Sequence, residues 1–182
     1  MAKLISKTYG DALFDIAVEN EKTDVFFEEV KGLKQVLLEN PELSKFLEHP
    51  DIELSEKVTA VEKIFHGRVS EEIVGLLRIV VTKGRSSNLM EILDYFVAKT
   101  KEFKKIGVAS VTSATELSDA QKTKIVEKLL SSTSYKEFEM NYGVDPELIG
   151  GIVIRIGDRV VDGSVRNKLM SLKKELSGIQ LA

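Results

Sequence analysis

Apolar residues recur at helical spacing through the first half of the chain and at shorter, alternating spacing through much of the second half. Up to about residue 105, apolar residues three and four positions apart predict six short α-helices. From Ile106 the period changes, and three or four short strands mixed with two helices are expected. The pattern therefore predicts a mainly α protein, with an N-terminal six-helix bundle over residues 1–105 and a small α/β domain over residues 106–182.

Two of the predicted helices are more apolar than a surface helix needs to be. The first, about Ser6 to Asn20, keeps a narrow polar stripe, and the fifth, Glu71 to Lys83, is apolar nearly all round. A bundle can bury one central helix on all sides, but a helix at the chain end is usually peripheral. Either both helices are simply core, or together they form a groove for an amphipathic helix of another protein. The polar stripe of the first helix consists of Asp11, Asp15 and Glu19.

A glycine-rich segment near the C-terminus has the order strand, turn, short strand, helix. Ile149 to Ile156 is predicted as a strand, Gly157-Asp158 as a turn, and Val160-Val161 as the start of an edge strand. Asp162 or Ser164 is expected to cap the last helix. Apolar residues in that helix recur at four, three and four positions; such a stripe could bind a partner helix, but it more often covers its own sheet, and the sequence favours that explanation. The stripe consists of Val165, Leu169, Leu172 and Leu176.

The glycines of this segment have two possible explanations. Hairpins and helix starts need positions without a Cβ, which makes the glycines a matter of backbone geometry. A phosphate-binding loop is the alternative, and it would make the chain a small nucleotide-binding enzyme that uses Gly150-Gly151 and Gly157-Asp158. Neither the dinucleotide-binding spacing nor a Gly-Lys-Ser/Thr ending is present, so the sequence favours backbone geometry.

Composition narrows the kinds of function. The chain has 182 residues, of which 43% are hydrophobic and 30% charged, as in globular proteins of one or two domains. No apolar run approaches the ~20 residues of a membrane span, and the N-terminus resembles neither a secretory signal nor a transit peptide. There is no cysteine, and His49 and His66 are the two histidines. We expect no catalytic residue, cofactor, metal site, small-molecule substrate or direct membrane insertion.

The negative charge is concentrated in the first third of the chain. Residues 1–60 hold 7 Lys or Arg against 13 Asp or Glu, a balance of −6, whereas the whole chain has a net charge of −3. An acidic first third argues against nucleic acid as a partner and favours a basic or neutral protein.

The glycine-rich segment also carries a spaced set of residues: Gly150-Gly151, Arg155, Gly157-Asp158, Asp162-Gly163-Ser164 and Leu169. This set resembles the C-terminal signature of the delta subunit of bacterial and chloroplast F-type ATP synthases, the family of the mitochondrial oligomycin-sensitivity-conferring protein. Near the N-terminus, Tyr9-Gly10-Asp11-Ala12-Leu13-Phe14 resembles the family's Tyr-Ala-x-Ala-Leu-Phe pattern, with a departure at Gly10 that is expected to loosen the helix slightly. Leu76-Leu77 with Lys83-Gly84-Arg85 resembles a second N-terminal signature.

The resemblance implies a non-catalytic stator subunit that joins the catalytic head to the peripheral stalk, so that rotation is coupled to ATP synthesis and ion translocation. It implies that a groove between the first and fifth helices holds the N-terminal helix of one alpha subunit. Carried onto this sequence, the candidate contacts are Tyr9, Ala12, Leu13, Ile16, Leu76, Ile79, Val80 and Lys83.

The resemblance further implies that the C-terminal domain meets the top of the alpha subunit and the end of the b-subunit stalk. The candidates there are Ile152, Ile154, Val165 and Leu169. The expected location is the cytoplasmic face of a bacterial cell membrane, as a peripheral protein held there by the ATP synthase complex. A helical adaptor subunit of another complex is an alternative, which would share the groove but not the C-terminal signature.

Overall fold

The structure, a computed structural model, describes residues 2–178, and the side chains of residues 4–177. It divides into two compact units after Lys101. The division lies inside the last helix of the first unit, a little earlier than the predicted boundary at residue 105. Residues 179–182 of the predicted second domain, like Met1, lie outside the described residues.

Six α-helices form the first unit within the described residues, which confirms the predicted helical bundle. They are α1 (Ala2–Glu19), α2 (Thr23–Glu39), α3 (Pro41–Glu48), α4 (Leu54–Phe65), α5 (Glu71–Thr82) and α6 (Leu89–Lys104). Pro41 begins α3, because its fixed φ suits the first helical position. Gly84, at φ +65°, follows the end of α5 in the left-handed conformation that glycine adopts most easily.

The core of the first unit is built around α5. Its buried residues are distributed around most of the helix, and they belong to one continuous core cluster with apolar side chains from the other helices. Both α1 and α4 contact α5. The nearly continuous apolar sequence of α5 is thus explained by burial against neighbours on several sides. The buried residues of α5 are Ile73, Val74, Leu76, Leu77, Val80 and Val81.

The second unit is a four-stranded mixed sheet with two helices, as the change of period predicted. Its elements are β1 (Ile106–Ser113), α7 (Asp119–Ser132), β2 (Glu137–Val144), β3 (Ile152–Ile156), β4 (Arg159–Asp162) and α8 (Val165–Gly178). The strand order is β2-β1-β3-β4. β1 and β2 are parallel, and α7 makes the crossover that such a pair requires. Ser118 and Gln121 form the predicted capping box at the start of α7.

One face of this sheet forms the core of the second unit. Ala109 and Val111 are buried in β1, and their partners in β3 are Ile156 and Ile154. α7 lies over this face, since Lys122 Nζ is 5.4 Å from the ring centroid of Tyr142, the partner of Val111 in β2.

The third strand begins later than predicted, at Ile152 rather than at Ile149. The cause is the backbone, because Ile149 and Gly151 have φ values of +65° and +79°, which no strand contains. A Cβ on Gly151 would lie 2.3 Å from the carbonyl oxygen of Gly163, so the two segments could not approach each other with any other residue there. Gly163 N–H donates to the Ile152 carbonyl at 2.9 Å. The glycines therefore have a structural use, the explanation that the sequence favoured.

The start of α8 is held by this glycine corner. Ser164 is buried, and its hydroxyl oxygen accepts the N–H of Asn167 at 3.1 Å, so Ser164 is the cap of α8. Asp162 Oδ1 accepts the N–H of Ser164 at 2.9 Å. Hydrogen bonds from the side chain and then the backbone of Ser164 hold the pKa of Asp162 below its usual value. Val165 N–H donates to the Gly150 carbonyl at 2.9 Å, which ties the helix to the segment before β3.

Replacing Gly151 by Ala tests the role of this corner. We expect Gly151→Ala to lower the free energy of unfolding of the second unit by about 1–3 kcal/mol more than Gly157→Ala, because it adds overpacking to the cost of a left-handed backbone. Gly157 is a matched control, since it also has a positive φ but a Cβ there would meet no atom within 4 Å. Amide hydrogen exchange of β1 and β3 measures the difference. Equal losses in the two variants would contradict the proposed close approach.

Candidate interaction surfaces

The first candidate surface lies along α1 and α5, which run antiparallel. The end of α1 meets the start of α5, where Asn20 Nδ2 donates to Glu72 Oε1 at 3.5 Å. At the other end of the pair, Arg85 Nη1 donates to the hydroxyl of Tyr9 at 3.2 Å. The guanidinium carbon of Arg85 also lies 5.4 Å from the Tyr9 ring centroid, a cation–π contact. Polar contacts therefore mark both ends of the seam between the two helices.

Between these ends, apolar residues of both helices are exposed. Ile16 of α1 is 38% exposed and Ile79 of α5 is 50% exposed. Ala12, one turn before Ile16, is exposed as well. Gly75 lies one turn before Ile79, and a Cβ there would meet no atom within 4 Å, so the surface is open at this point. We call Ala12, Ile16, Gly75 and Ile79 the α1/α5 strip.

The eight residues predicted for this surface differ in how far their side chains are buried. All of them lie on α1, on α5 or directly after α5, but Leu13 and Val80 are core residues with exposed fractions of 1% and 0%. Leu76 is buried too. These three side chains support the helices from inside and are not available to a partner. The residues with accessible side chains are Ala12, Ile16, Ile79 and Lys83, together with the half-buried Tyr9.

The position of α1 is fixed by a polar cluster that the sequence analysis missed. Asp11 Oδ1 accepts hydrogen bonds from Lys99 Nζ at 2.5 Å and from the Tyr95 hydroxyl at 3.0 Å. Lys99 Nζ also lies 4.6 Å from the ring centroid of Phe14. Asp11 therefore has side-chain partners in α6, whereas the sequence assigned it only to a polar stripe with Asp15 and Glu19. Lys99 lies in α6, 88 residues after Asp11, and no local sequence pattern links residues so far apart.

The departure from the family pattern at Gly10 is explained at the same place. A Cβ on Gly10 would lie 2.4 Å from Cδ1 of Tyr95, so glycine lets α1 and α6 approach closely. The loosening expected from a glycine inside a helix is therefore accompanied by a packing role, and the Tyr95 ring occupies the space of the missing side chain.

The charges of the polar cluster shift each other's pKa. The hydrogen bond from Lys99 holds the pKa of Asp11 below its usual value, and the hydrogen bond to Asp11 raises the pKa of Lys99 above its usual value. Both shifts favour the charged pair over the whole range between the two pKa values. The cluster is therefore expected to hold α1 in place at neutral pH.

The second candidate surface is the apolar stripe of α8. The residues of the stripe are exposed by 37% to 69%, because α8 packs mainly against the 3-10 turn Pro146–Leu148 near its start. Arg166 Nη1 pairs with Glu147 Oε2 at 3.2 Å at this contact. The stripe is therefore not buried against its own sheet, although its spacing favoured that explanation. We call Val165, Leu169, Leu172 and Leu176 the α8 stripe.

The four residues predicted for stalk binding are divided between the sheet and α8. Ile152 and Ile154 are half-buried on the sheet face that α7 covers, where they pair with Ser113 and Val111 of β1. Val165 and Leu169 are exposed on α8. The four-three-four spacing was the signal that could also have placed Leu172 and Leu176 in the predicted set.

The remaining candidates for chemistry have local partners. His49 Nδ1 accepts the N–H of Asp51 at 3.2 Å, and His66 Nδ1 lies 2.9 Å from Glu71 Oε1. Within residues 2–178, no group of His, Cys, Asp or Glu side chains is arranged to hold a metal ion. No helix in the same part of the chain has the length and apolar character of a membrane span.

A comparison of folds gives the architectural class of the protein. The fold is shared with a chain in the cryo-EM structure of the Toxoplasma gondii mitochondrial ATP synthase hexamer, with a TM-score of 0.75 and 18% identity over 96% of this chain and 98% of that chain. This likeness shows a common architecture, a helical unit followed by a small mixed sheet with helices.

The family follows from the sequence comparisons. The family model "ATP synthase delta (OSCP) subunit" matches residues 5–176. The ATP synthase subunit delta of Lachnoclostridium phytofermentans is 56% identical over 100% of both chains, and that of Desulfitobacterium hafniense strain Y51 is 39% identical over 95% of this chain and 96% of its own. The chain belongs to the ATP synthase delta (OSCP) subunit family. It is a non-catalytic stator subunit of an F-type ATP synthase, as the resemblance implied.

Replacing Asp11 by Asn tests the polar cluster. We expect Asp11→Asn to lower the free energy of unfolding at neutral pH, because Lys99 loses its charged partner while Tyr95 can still donate to the amide oxygen. The pKa of Asp11 is lower in the folded state. Its contribution is therefore complete above the unfolded pKa of about 3.9 and disappears as the pH falls through the lower folded value.

Urea denaturation of both proteins at a series of pH values measures this dependence. The difference in unfolding free energy is expected to stay constant from about pH 5 to pH 8 and to shrink below about pH 4. Asp15→Asn, at an exposed position one turn along α1, is the control and should show a smaller change. A pH-independent difference would show that the charge of Asp11 does not stabilise the fold.

Proposed function

We propose that this chain joins the catalytic head of the ATP synthase to its peripheral stalk through two separate helix-binding surfaces. The α1/α5 strip binds the N-terminal helix of one alpha subunit, and the α8 stripe binds the end of the b-subunit stalk. The observation that carries this proposal is the exposure of an apolar strip on each of the two units, in a chain whose family is that of a stator subunit.

The shape of the α1/α5 strip suits an amphipathic helix. Ile16 and Ile79 project from neighbouring antiparallel helices, and the uncovered backbone at Gly75 leaves room for an incoming side chain. A helix that lies along the seam would place residues at positions i, i+3, i+4 and i+7 against this strip. Lys83, exposed just after α5, is placed to meet polar residues of the same partner.

The α8 stripe suits a partner of coiled-coil type. Its spacing of four, three and four residues is that of the apolar seam in a two-stranded coiled coil, where side chains of one helix insert between those of the other. The stripe runs from Val165 to Leu176, so a partner helix would make contact along nearly the whole of α8.

Two surfaces on one chain make a strong joint without a covalent bond. Once one partner is bound, the other surface is held near its own partner at a high effective concentration. The joint then resists the torque that the rotating shaft exerts on the head, which is the condition for coupling rotation to ATP synthesis. Attachment to the cytoplasmic face of the membrane follows from the complex and requires no membrane segment of this chain.

Titration with a peptide of the alpha-subunit N-terminus tests the first surface. We expect saturable binding to the intact chain and an affinity at least about tenfold lower for Ile79→Asp, because the new carboxylate would be placed in an apolar contact. Leu38→Asp is the matched control, since Leu38 is an equally apolar, exposed residue on α2. Isothermal calorimetry gives the affinities, and circular dichroism checks the fold. Failure of the unmodified chain to bind the peptide would remove the support for head attachment.

Titration with the C-terminal segment of the b subunit tests the second surface. Leu172→Asp is expected to weaken binding at least about tenfold, since Leu172 lies in the middle of the α8 stripe. Met170→Asp places the same charge at another exposed apolar residue of α8, away from the stripe, and should change the affinity less than about threefold. Equal weakening by the two variants would show that the stripe is not the contact.

A further inference from the structure

We propose that α8 selects its partner by charge, and that the helix bound on the α8 stripe carries Asp or Glu beside its own apolar residues. The inference rests on the proposed stalk-binding function of α8 and names the chemistry of its partner. It comes from the basic side chains beside the α8 stripe, of which the fold explains only Arg166, through its pair with Glu147.

The residues that border the α8 stripe are mostly basic. At 100° per residue, Arg166 and Lys173 lie along one edge of the stripe, and Lys168 and Glu175 lie along the other. All four side chains are exposed. In a coiled coil these are the flanking positions, whose charges meet those of the partner and determine which partner is chosen. Three basic groups against one acidic group fit a partner with acidic flanks.

The helix itself gives no reason for the basic residues near its start. The N-terminal end of a helix carries partial positive charge, so cations in the first turn are disfavoured. Even so, Arg166 and Lys168 lie close to the start of α8, and its first turn contains no acidic residue. A bound acidic helix would balance these charges, whereas α8 alone does not.

Local partners neutralise only part of this charge. Arg166 pairs with Glu147 at 3.2 Å, an exposed contact that bulk water screens, and it also lies near enough to Asp162 to help lower the pKa of that carboxyl. In the part of the chain that the structure describes, Lys168 and Lys173 form no ion pair. Their ammonium groups therefore stay available at the two edges of the stripe.

The same charges argue against a second copy of this chain as the occupant. Two α8 helices packed along their stripes would bring basic flanks together, which is unfavourable. The two proposed partners are also separated by charge, because Asp15 and Glu19 are exposed on α1 beside its part of the strip and would repel a helix with acidic flanks. A stalk helix of this kind would therefore prefer α8 to the α1/α5 strip.

Three designed peptides test the proposal with the full-length chain. They share one apolar seam of about three heptads and differ only at the flanking positions, which are Glu, Gln or Lys. Calorimetry at low salt is expected to give an affinity at least about tenfold higher for the Glu peptide than for the Lys peptide, with the Gln peptide between them. The difference should shrink in about 0.5 M salt, because exposed charges are then screened.

Charge reversal on the protein completes the test. The double variant Lys168→Glu with Lys173→Glu should bind the Lys peptide more tightly than the Glu peptide. Lys174→Glu changes the same charge on the opposite side of α8, so it should keep the original order. Leu172→Asp should weaken all three peptides, which assigns the binding to the α8 stripe.

The outcomes distinguish charge selection by α8 from its stalk-binding function. Binding of all three peptides with equal affinity would overturn charge selection and leave the stalk-binding function in place. Absence of binding by every peptide, including the Gln peptide, would overturn the stalk-binding function of α8 and the inference with it. An unchanged preference in the double variant would likewise overturn the assignment to Lys168 and Lys173.

Discussion

Burial of α5 is the interaction on which the helical unit depends. This helix has few polar residues, so it is stable only when other helices cover most of its surface. Neighbouring helices, α1 and α4 among them, supply that cover, and beside α1 the cover remains incomplete at Ile79. The exposed Ile79 follows from the position of α5 in the centre, because a helix that is apolar nearly all round presents an apolar residue wherever a neighbour is missing. The core and the candidate surface are thus two sides of one helix.

The second unit depends on a different constraint, the close approach of two backbone segments at Gly151 and Gly163. This approach fixes where β3 begins and allows Ser164 to cap α8. α8 begins at this corner, and its apolar stripe is exposed and not covered by the sheet. A sheet that α8 does not cover buries less apolar area, and a unit of this size buries little apolar area in any case. The loss is understandable if a partner supplies the missing contact during assembly.

Much of this architecture could be predicted from the sequence, because helical and strand periods follow from which residues face a core. Helix order, the change of period at Ile106 and the cap of α7 are local patterns of this kind. The corner from which α8 starts could not be predicted in this way, because it depends on φ values at Ile149 and Gly151 that no periodicity reveals. The contact of Asp11 with Lys99 was missed for the same reason. Within the candidate surface, the resemblance pointed to α1 and α5, but no sequence pattern could separate the buried Leu13 and Val80 from the exposed Ile16 and Ile79.

The two surfaces differ in what holds them in shape, and this bears on how force would pass through the chain. The α1/α5 strip rests on a helix buried in a core, so its geometry exists before any partner binds. α8 has 14 residues, a length at which isolated helices are only marginally stable in water, and its side chains from Val165 to Ser177 are exposed. In the proposed assembly, its stiffness under load would therefore come largely from the stalk helix on its stripe. A joint built in this proposed way would become rigid only on assembly, so the binding free energy at α8 would contribute mechanical strength as well as affinity.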